Sequence, residues 1–220
     1  IIVAHLMIPS PADFSLQEQD MLHALTKATA RNVDYADMYL ESSVTDSVSM
    51  EESLVKRAVK SIAQGAGIRA VAGERTGFAY SDDLSVKDLE QAAETARYIA
   101  ESPQGDHPLT VTHRTSPTQN LYPLTQPLTD ITTEARVDLL NQIDAEARRY
   151  DPRIAKVMAS FNTEQKIFLV VNSEGQLVGD VQPLARLQIT CIAEEGDNRQ
   201  IGSYGGGGRV GFSFFVENGR

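Results

Sequence analysis

The chain has 220 residues, room for one large domain or two small ones, and carries 20 Lys and Arg against 30 Asp and Glu for a net charge of −10. An acidic chain with no basic run excludes a surface built to neutralise phosphates, so no nucleic-acid partner is expected. Hydrophobic residues at 41% suffice for a core and exclude disorder throughout; the single cysteine, Cys191, excludes an internal disulfide framework and fits a reducing compartment. No apolar run reaches the roughly 18 residues of a membrane span, and the apolar opening to Pro9 lacks the charged start of a secretory signal, so no membrane partner is expected.

Ser15 and Glu18 make an S-x-x-E capping box ahead of Leu22, Leu25 and Ala28, predicting a helix over 16–30. From Ala36 the period is two. Ala36, Met38, Leu40, Val44, Val48 and Met50 share one face of a long, half-buried strand, and Asp37, Glu41, Thr45 and Ser49 the other. On pattern alone, Leu54, Val55, Ala58, Val59 and Ile62 favour a helix over 54–64. Segments 67–72 and 76–81 form a β-hairpin about Ala72-Gly73-Glu74-Arg75, where Gly73 supplies a positive φ at low steric cost. Ser85 caps a helix over 85–101, with Asp88 in its first turn and Leu89, Ala92, Ala93, Ala96 and Ile99 as its apolar stripe.

Five of the nine prolines fall in the Thr- and Ser-rich segment 102–130, which reads as a linker. It separates an α+β domain at 1–101 from a second domain at 131–220. There a helix over 133–150 presents Val137, Leu140, Ile143 and Ala147, and Asp151-Pro152 ends it. After Pro152 the pattern is β: 157–161, 167–171, 176–181, 184–193, 199–204 and a last strand at 212–216. Asn172-Ser173-Glu174-Gly175 and Glu195-Gly196-Asp197-Asn198 supply turns. Short connections predict an antiparallel meander, so the fold class is α+β in two parts.

Chemistry is sparse. The four histidines, His5, His23, His107 and His113, form no H-E-x-x-H and no i, i+4 pair. Cys191 sits on a predicted strand and reads as a buried structural thiol. No G-x-S-x-G elbow or S-x-x-K occurs, and Asp82-Asp83 reads as a solvated turn. Six glycines crowd 202–211, but no Lys follows as a Walker loop needs, and no helix follows as a dinucleotide loop needs. That leaves a flexible connector, or a backbone passing close to a substrate or another chain where a Cβ would clash. Gly205, Gly206, Gly207, Gly208 and Arg209 are therefore the candidate contact residues.

Two motifs resemble the TldD/PmbA family. Gly65-Ala66-Gly67-Ile68-Arg69-Ala70-Val71, then Thr76-Gly77-Phe78-Ala79-Tyr80, then Asp83-Leu84-Ser85 resemble its N-terminal signature. The 205–208 run with Arg209, Gly211, Phe214 and Phe215 resembles the G-G-G-G-R-x-G-x-x-F-F segment of its TldD branch, and the match runs in order from about Asp34 to Phe215. The resemblance implies a cytoplasmic zinc metalloprotease of the group also called modulators of DNA gyrase. It would cleave unfolded peptides inside a closed cavity, in peptide maturation and antitoxin removal, with a TldE/PmbA-type partner subunit or by self-association. The family's H-E-x-x-x-H helix and zinc-binding Cys lie in a C-terminal domain that this chain does not contain. No catalytic or metal residue is therefore expected here, nor zinc binding or cleavage by the chain alone; its parts would shape the cavity and subunit contacts. The resemblance also implies a strand, not a helix, over 54–64. The rival expectation is a non-enzymatic module, a gyrase modulator included, that holds extended peptides along its sheet edges.

Overall fold

The computed structural model of the chain describes residues 9–101, 114–115 and 121–216. After a 3-10 turn at Pro11–Phe14 come helix α1 (Glu18–Ala28), strands β1 (Tyr35–Glu51), β2 (Leu54–Ala72) and β3 (Arg75–Ser81), and helix α2 (Val86–Ala100). The two-residue β4 (Arg114–Thr115) precedes a 3-10 turn at Leu128–Asp130 and helix α3 (Thr133–Tyr150). Strands β5 (Ile154–Asn172), β6 (Gln176–Glu195) and β7 (Asn198–Gly208) and one helical turn, α4 (Ser213–Val216), complete it. The fold is α+β.

The seven strands among the described residues form one sheet in the order β3-β2-β1-β5-β6, with β4 parallel to one end of β6 and β7 antiparallel to the other. Helices α1, α2 and α3 pack on one face of it. Even positions of β1 feed two apolar clusters: Ala36, Met38 and Leu40 under α1 and α2, and Val48 and Met50 under α3. Between the clusters runs a polar seam of Asp46, Thr163 and Gln165, all buried, closed from above by Arg136 of α3. Arg136 is 2% exposed and donates to the carbonyls of Leu128 (2.9 Å) and Ile131, to Asp46 Oδ2 (3.3 Å) and to Thr163 Oγ1 (3.4 Å). Gln165 Oε1 accepts from the Leu128 N–H at 2.7 Å.

Several expectations need correction. The capping box lies two residues later than expected: the Gln17 N–H donates to Asp20 Oδ2 at 2.8 Å, while Ser15 takes φ 59 and closes the preceding 3-10 turn. Segment 54–64 is strand, as the resemblance implied and the period count did not. Its apolar residues are all exposed, so their spacing encodes no buried helical face; backbone pairing to β1 decides the state, and a bulge at Lys56 shifts the phase. On α2, Ala100 is buried where Ile99 is exposed. The separate segments 157–161 and 167–171 are one strand, because the polar middle of β5 faces the seam; 176–181 and 184–193 likewise merge across buried Pro183. The meander β5-β6-β7 is as expected. Segment 212–216 is not a strand. Phe212 and Phe215, three apart, both reach Phe161 (centroids 5.6 and 5.0 Å), which a helical turn permits and a strand would not.

Candidate peptide-binding face

The sheet face opposite the helices carries no packed element among the described residues. Because β-strand side chains alternate, register fixes what stands there. Across β3, β2, β1, β5 and β6, one row reads Tyr80, Gly67, Tyr39, Val170, Val178, and the next holds Gly65, Glu41, Phe168 and Asp180. The two glycines make a depression in β2. A Cβ at Gly67 would stand 3.0 Å from the Phe78 ring, and one at Gly65 would stand 3.1 Å from the Ser81 carbonyl. The result is a cleft of about 470 Å³ lined by Tyr39, Glu41, Gly65, Gly67, Phe78 and Tyr80. Tyr39, Phe78 and Tyr80 are 39, 58 and 77% exposed, so large apolar surface is turned to solvent there.

A short polar chain holds the cleft floor in shape. Tyr39 stacks on Phe168 (5.8 Å between centroids) and donates its hydroxyl to Glu41, which pairs with Lys166 Nζ at 3.1 Å. Burial, then the Glu41 carboxylate, push the Tyr39 hydroxyl up, so it stays a neutral donor. The Tyr39 hydrogen bond, then Lys166, hold Glu41 below the usual carboxylate range, so it stays charged near neutral pH. The cleft can therefore seat an apolar or aromatic side chain beside a fixed carboxylate. It offers no nucleophile paired with a base.

The glycine run lies elsewhere, on β7, at the opposite side of the sheet from β3. A Cβ at Gly207 would sit 2.0 Å from the Ala185 carbonyl and one at Gly205 3.0 Å from that of Leu187, both on β6; Gly206 and Gly208 have nothing within 4 Å. The close approach visible here is thus to the chain's own β6. Arg209 lies over the Tyr122 ring at 5.0 Å and donates to Gln182 at 3.3 Å. None of 205–209 lines the aromatic cleft. Sequence analysis missed the cleft, although Phe78 and Tyr80, two apart in a strand, must share a face.

The described residues do not fit zinc. Among the described residues no group of three or more His, Cys, Asp or Glu could hold a metal ion. His23 sits 3.2 Å from Glu90, which Lys27 also holds at 2.6 Å. Cys191 is half-buried rather than buried, and burial pushes its thiol up, away from the thiolate a metal needs. His5, His107 and His113 lie outside the described residues. Asp83 accepts from the Ser85 N–H at 2.8 Å, and Asp82 beside it is exposed. Among the described residues no helix is long and apolar enough to cross a membrane.

Residues 36–100 match the family described as PmbA/TldA metallopeptidase domain 1, and residues 126–219 match its central domain. The metalloprotease TldD homolog of Haemophilus influenzae is 36% identical over 212 residues, 96% of this chain and 43% of that protein. Its counterpart in Buchnera aphidicola subsp. Schizaphis graminum is 31% identical over 201 residues, 91% of this chain and 41% of that protein. The chain thus spans about two fifths of the length of these curated relatives. Two crystal structures share the fold. A protein from Bacteroides thetaiotaomicron described as a modulator of DNA gyrase superposes at TM-score 0.66 with 16% identity, over 88% of this chain and 45% of that one. TldE from Thermococcus kodakarensis superposes at 0.62 with 19% identity, over 86% and 43%. With the family's first and central domains matched in order and a metalloprotease relative at 36% identity, the chain belongs to the TldD/PmbA metallopeptidase family, whose N-terminal part it matches.

Proposed function

We propose that this chain is the N-terminal portion of a TldD-type zinc metalloprotease subunit in the cytoplasm, and that it binds and positions unfolded peptides without cleaving them. The observation that carries this reading is the uncovered sheet face with its aromatic cleft, in a chain whose relatives are named metalloproteases. On this reading the face walls the cavity in which an extended peptide is held. Apolar side chains seat against Tyr39, Phe78 and Tyr80, while a folded protein cannot lay its backbone across the strands. Zinc and the residues that activate water would come from the part of the relatives that 1–220 does not match, and a TldE-type subunit would close the cavity. The division into a first domain at 1–101 and a second at 131–220, joined by 102–130, belongs to the same proposal, as does contact of 205–209 with substrate or partner.

The test uses the protein encoded by the whole gene, with its partner subunit, on an unfolded reporter peptide. Expected are bound zinc and cleavage. The variant F78S/Y80S should raise KM several-fold with kcat nearly unchanged, because uniform substrate binding is lost. The 220-residue chain alone should bind the peptide and leave it intact. Cleavage by that chain alone refutes the division of labour; an unchanged KM in the variant refutes the role of the cleft.

A second reading has its own observation: β7 and the outer half of β2 are strand edges that nothing pairs among the described residues. Such edges accept an extended peptide by strand addition, with or without a protease attached.

A further inference from the structure

Among the described residues the outer edge of β2 is unpaired over 54–65, because β3 pairs it only between Ala66 and Ala72 while β1 takes the other edge. Residues 54–64 are all exposed, so no helix among the described residues covers this half of the strand on either face. At roughly 3.3 Å per residue the edge runs about 40 Å with outward N–H and C=O groups free to pair.

Its charge is of one sign. β2 carries Lys56, Arg57, Lys60 and Arg69 and no Asp or Glu, in a chain of net charge −10. Arg69 is bound to Asp37, and Lys60 lies 3.9 Å from Asp46. Among the described residues Arg57 makes no hydrogen bond or ion pair, and the carboxylate near Lys56, Glu51, is already held by Lys156. Leu54, Val55, Val59 and Ile62 stand between these cations, 40 to 66% exposed.

Lysine on an edge strand ordinarily guards against pairing. Here the guard discriminates. A second copy brought edge to edge sets Lys56, Arg57 and Lys60 against their own equivalents, whereas an acidic strand sets carboxylates against them. We propose that this edge takes an extended acidic peptide segment as an added strand, its backbone pairing along 54–65 and its carboxylates meeting Lys56, Arg57 and Lys60. Its apolar side chains cover Leu54, Val55, Val59 and Ile62. Among the described residues the free edges of β7 and of the terminal strand β3 carry one charge each, Arg199 and Arg75, and give no such selection. The proposal deepens the strand-addition reading by naming the edge and the chemical class of the strand.

The experiment titrates the 220-residue chain with a labelled peptide of about twelve residues alternating Glu with Val or Thr, at low salt. Counterparts replace every Glu by Gln or by Lys, and one acidic analogue has alternate backbone nitrogens methylated. Amide hydrogen exchange locates the contact. The acidic peptide should bind about tenfold more tightly than the Gln peptide, with the Lys and methylated peptides weaker still and new protection confined to 54–65. The variant K56E/R57E, with an unchanged far-UV spectrum, should prefer the Lys peptide. Equal binding of the Glu and Gln peptides overturns the acidic selection while leaving strand addition standing; no binding by any peptide overturns both. Protection on 198–208 instead, or self-association that protects 54–65 without peptide, overturns the assignment of this edge.

Discussion

Replacing Gly77 by Ala should cost this fold about 3 kcal/mol or more, although the change adds one methyl group. Gly77 faces Ala70 on the helix-covered side of the sheet, where α2 crosses β3 backbone to backbone. A Cβ there would lie 1.9 Å from the Ala96 carbonyl oxygen and 2.8 Å from the Ala100 nitrogen. Both obstacles are main chain, so no rotamer relieves them, and the end of α2 must retreat by more than about 1 Å. A gap of that size forfeits between a quarter and a half of each dispersion contact it opens, here those of Ala92, Ala93, Ala96 and Ala100. The control is Gly202→Ala, where a Cβ meets nothing within 4 Å; it should stay within about 0.5 kcal/mol of the parent or gain slightly from reduced chain entropy. Urea denaturation of all three proteins, followed by far-UV circular dichroism with matched slopes, gives the comparison. A Gly77→Ala loss below about 1 kcal/mol would refute the reasoning, because it would mean that α2 does not lie against β3 as closely as described.

Three further outcomes are expected. Arg136→Ala should destabilise by about 3–5 kcal/mol in the same assay, since it strands the buried Asp46 carboxylate and the carbonyls of Leu128 and Ile131, whereas the double variant R136M/D46L should recover much of the loss. Glu52 and Ser53 form the two-residue turn between β1 and β2 at φ 52 and 61, so Glu52→Asn should raise stability by about 0.5–1 kcal/mol; the Ser53 hydrogen bond to Asp144 (2.7 Å) stays in place, and no gain would argue against this turn geometry. Asp151, held by the Arg153 side chain and then by its backbone N–H, should titrate at about 2 in a carboxyl NMR experiment, and Arg153→Ala should return it toward the ordinary range. The folded-state value is depressed, so the stability this pair adds is present above about pH 4 and is lost as pH falls through about 2.

Local chemistry was legible in the chain where a residue's partner lies a few positions away. Ser85 caps α2 through the Asp88 N–H, and Gly73 takes φ 58 in the turn joining β2 to β3; the Thr132 cap of α3, through the Ala135 N–H, is equally local but went unread. The alternation of β1 announced which side would be buried, because a strand that buries one face has only one register open to it. The resemblance, too, rests on short motifs, and it supplied a strand at 54–64 where periodicity supplied a helix. That failure has a plain cause: hydrophobic spacing reports secondary structure only where one face is buried, and 54–64 buries neither. The buried charges on α3, Arg136 and Asp144, escaped the apolar-stripe reading for a related reason. Each has a partner far off in sequence, Asp46 on β1 and Ser53 in the turn after it, beside nearer ones such as the Ile131 carbonyl and Arg148.

What the amino-acid sequence determined by itself is therefore the fold class, the Ser85 cap, the turn at Gly73 and the buried side of the first long strand, while the first capping box and the Glu52-Ser53 turn escaped it. Only the tertiary structure decided that β1 pairs with β5 to make a single sheet. The same long-range pairing left the other face bare, with Tyr39, Phe78 and Tyr80 gathered over two glycines. Those juxtapositions join residues up to more than a hundred positions apart, and backbone pairing across such distances obeys register and steric fit, which no local pattern records.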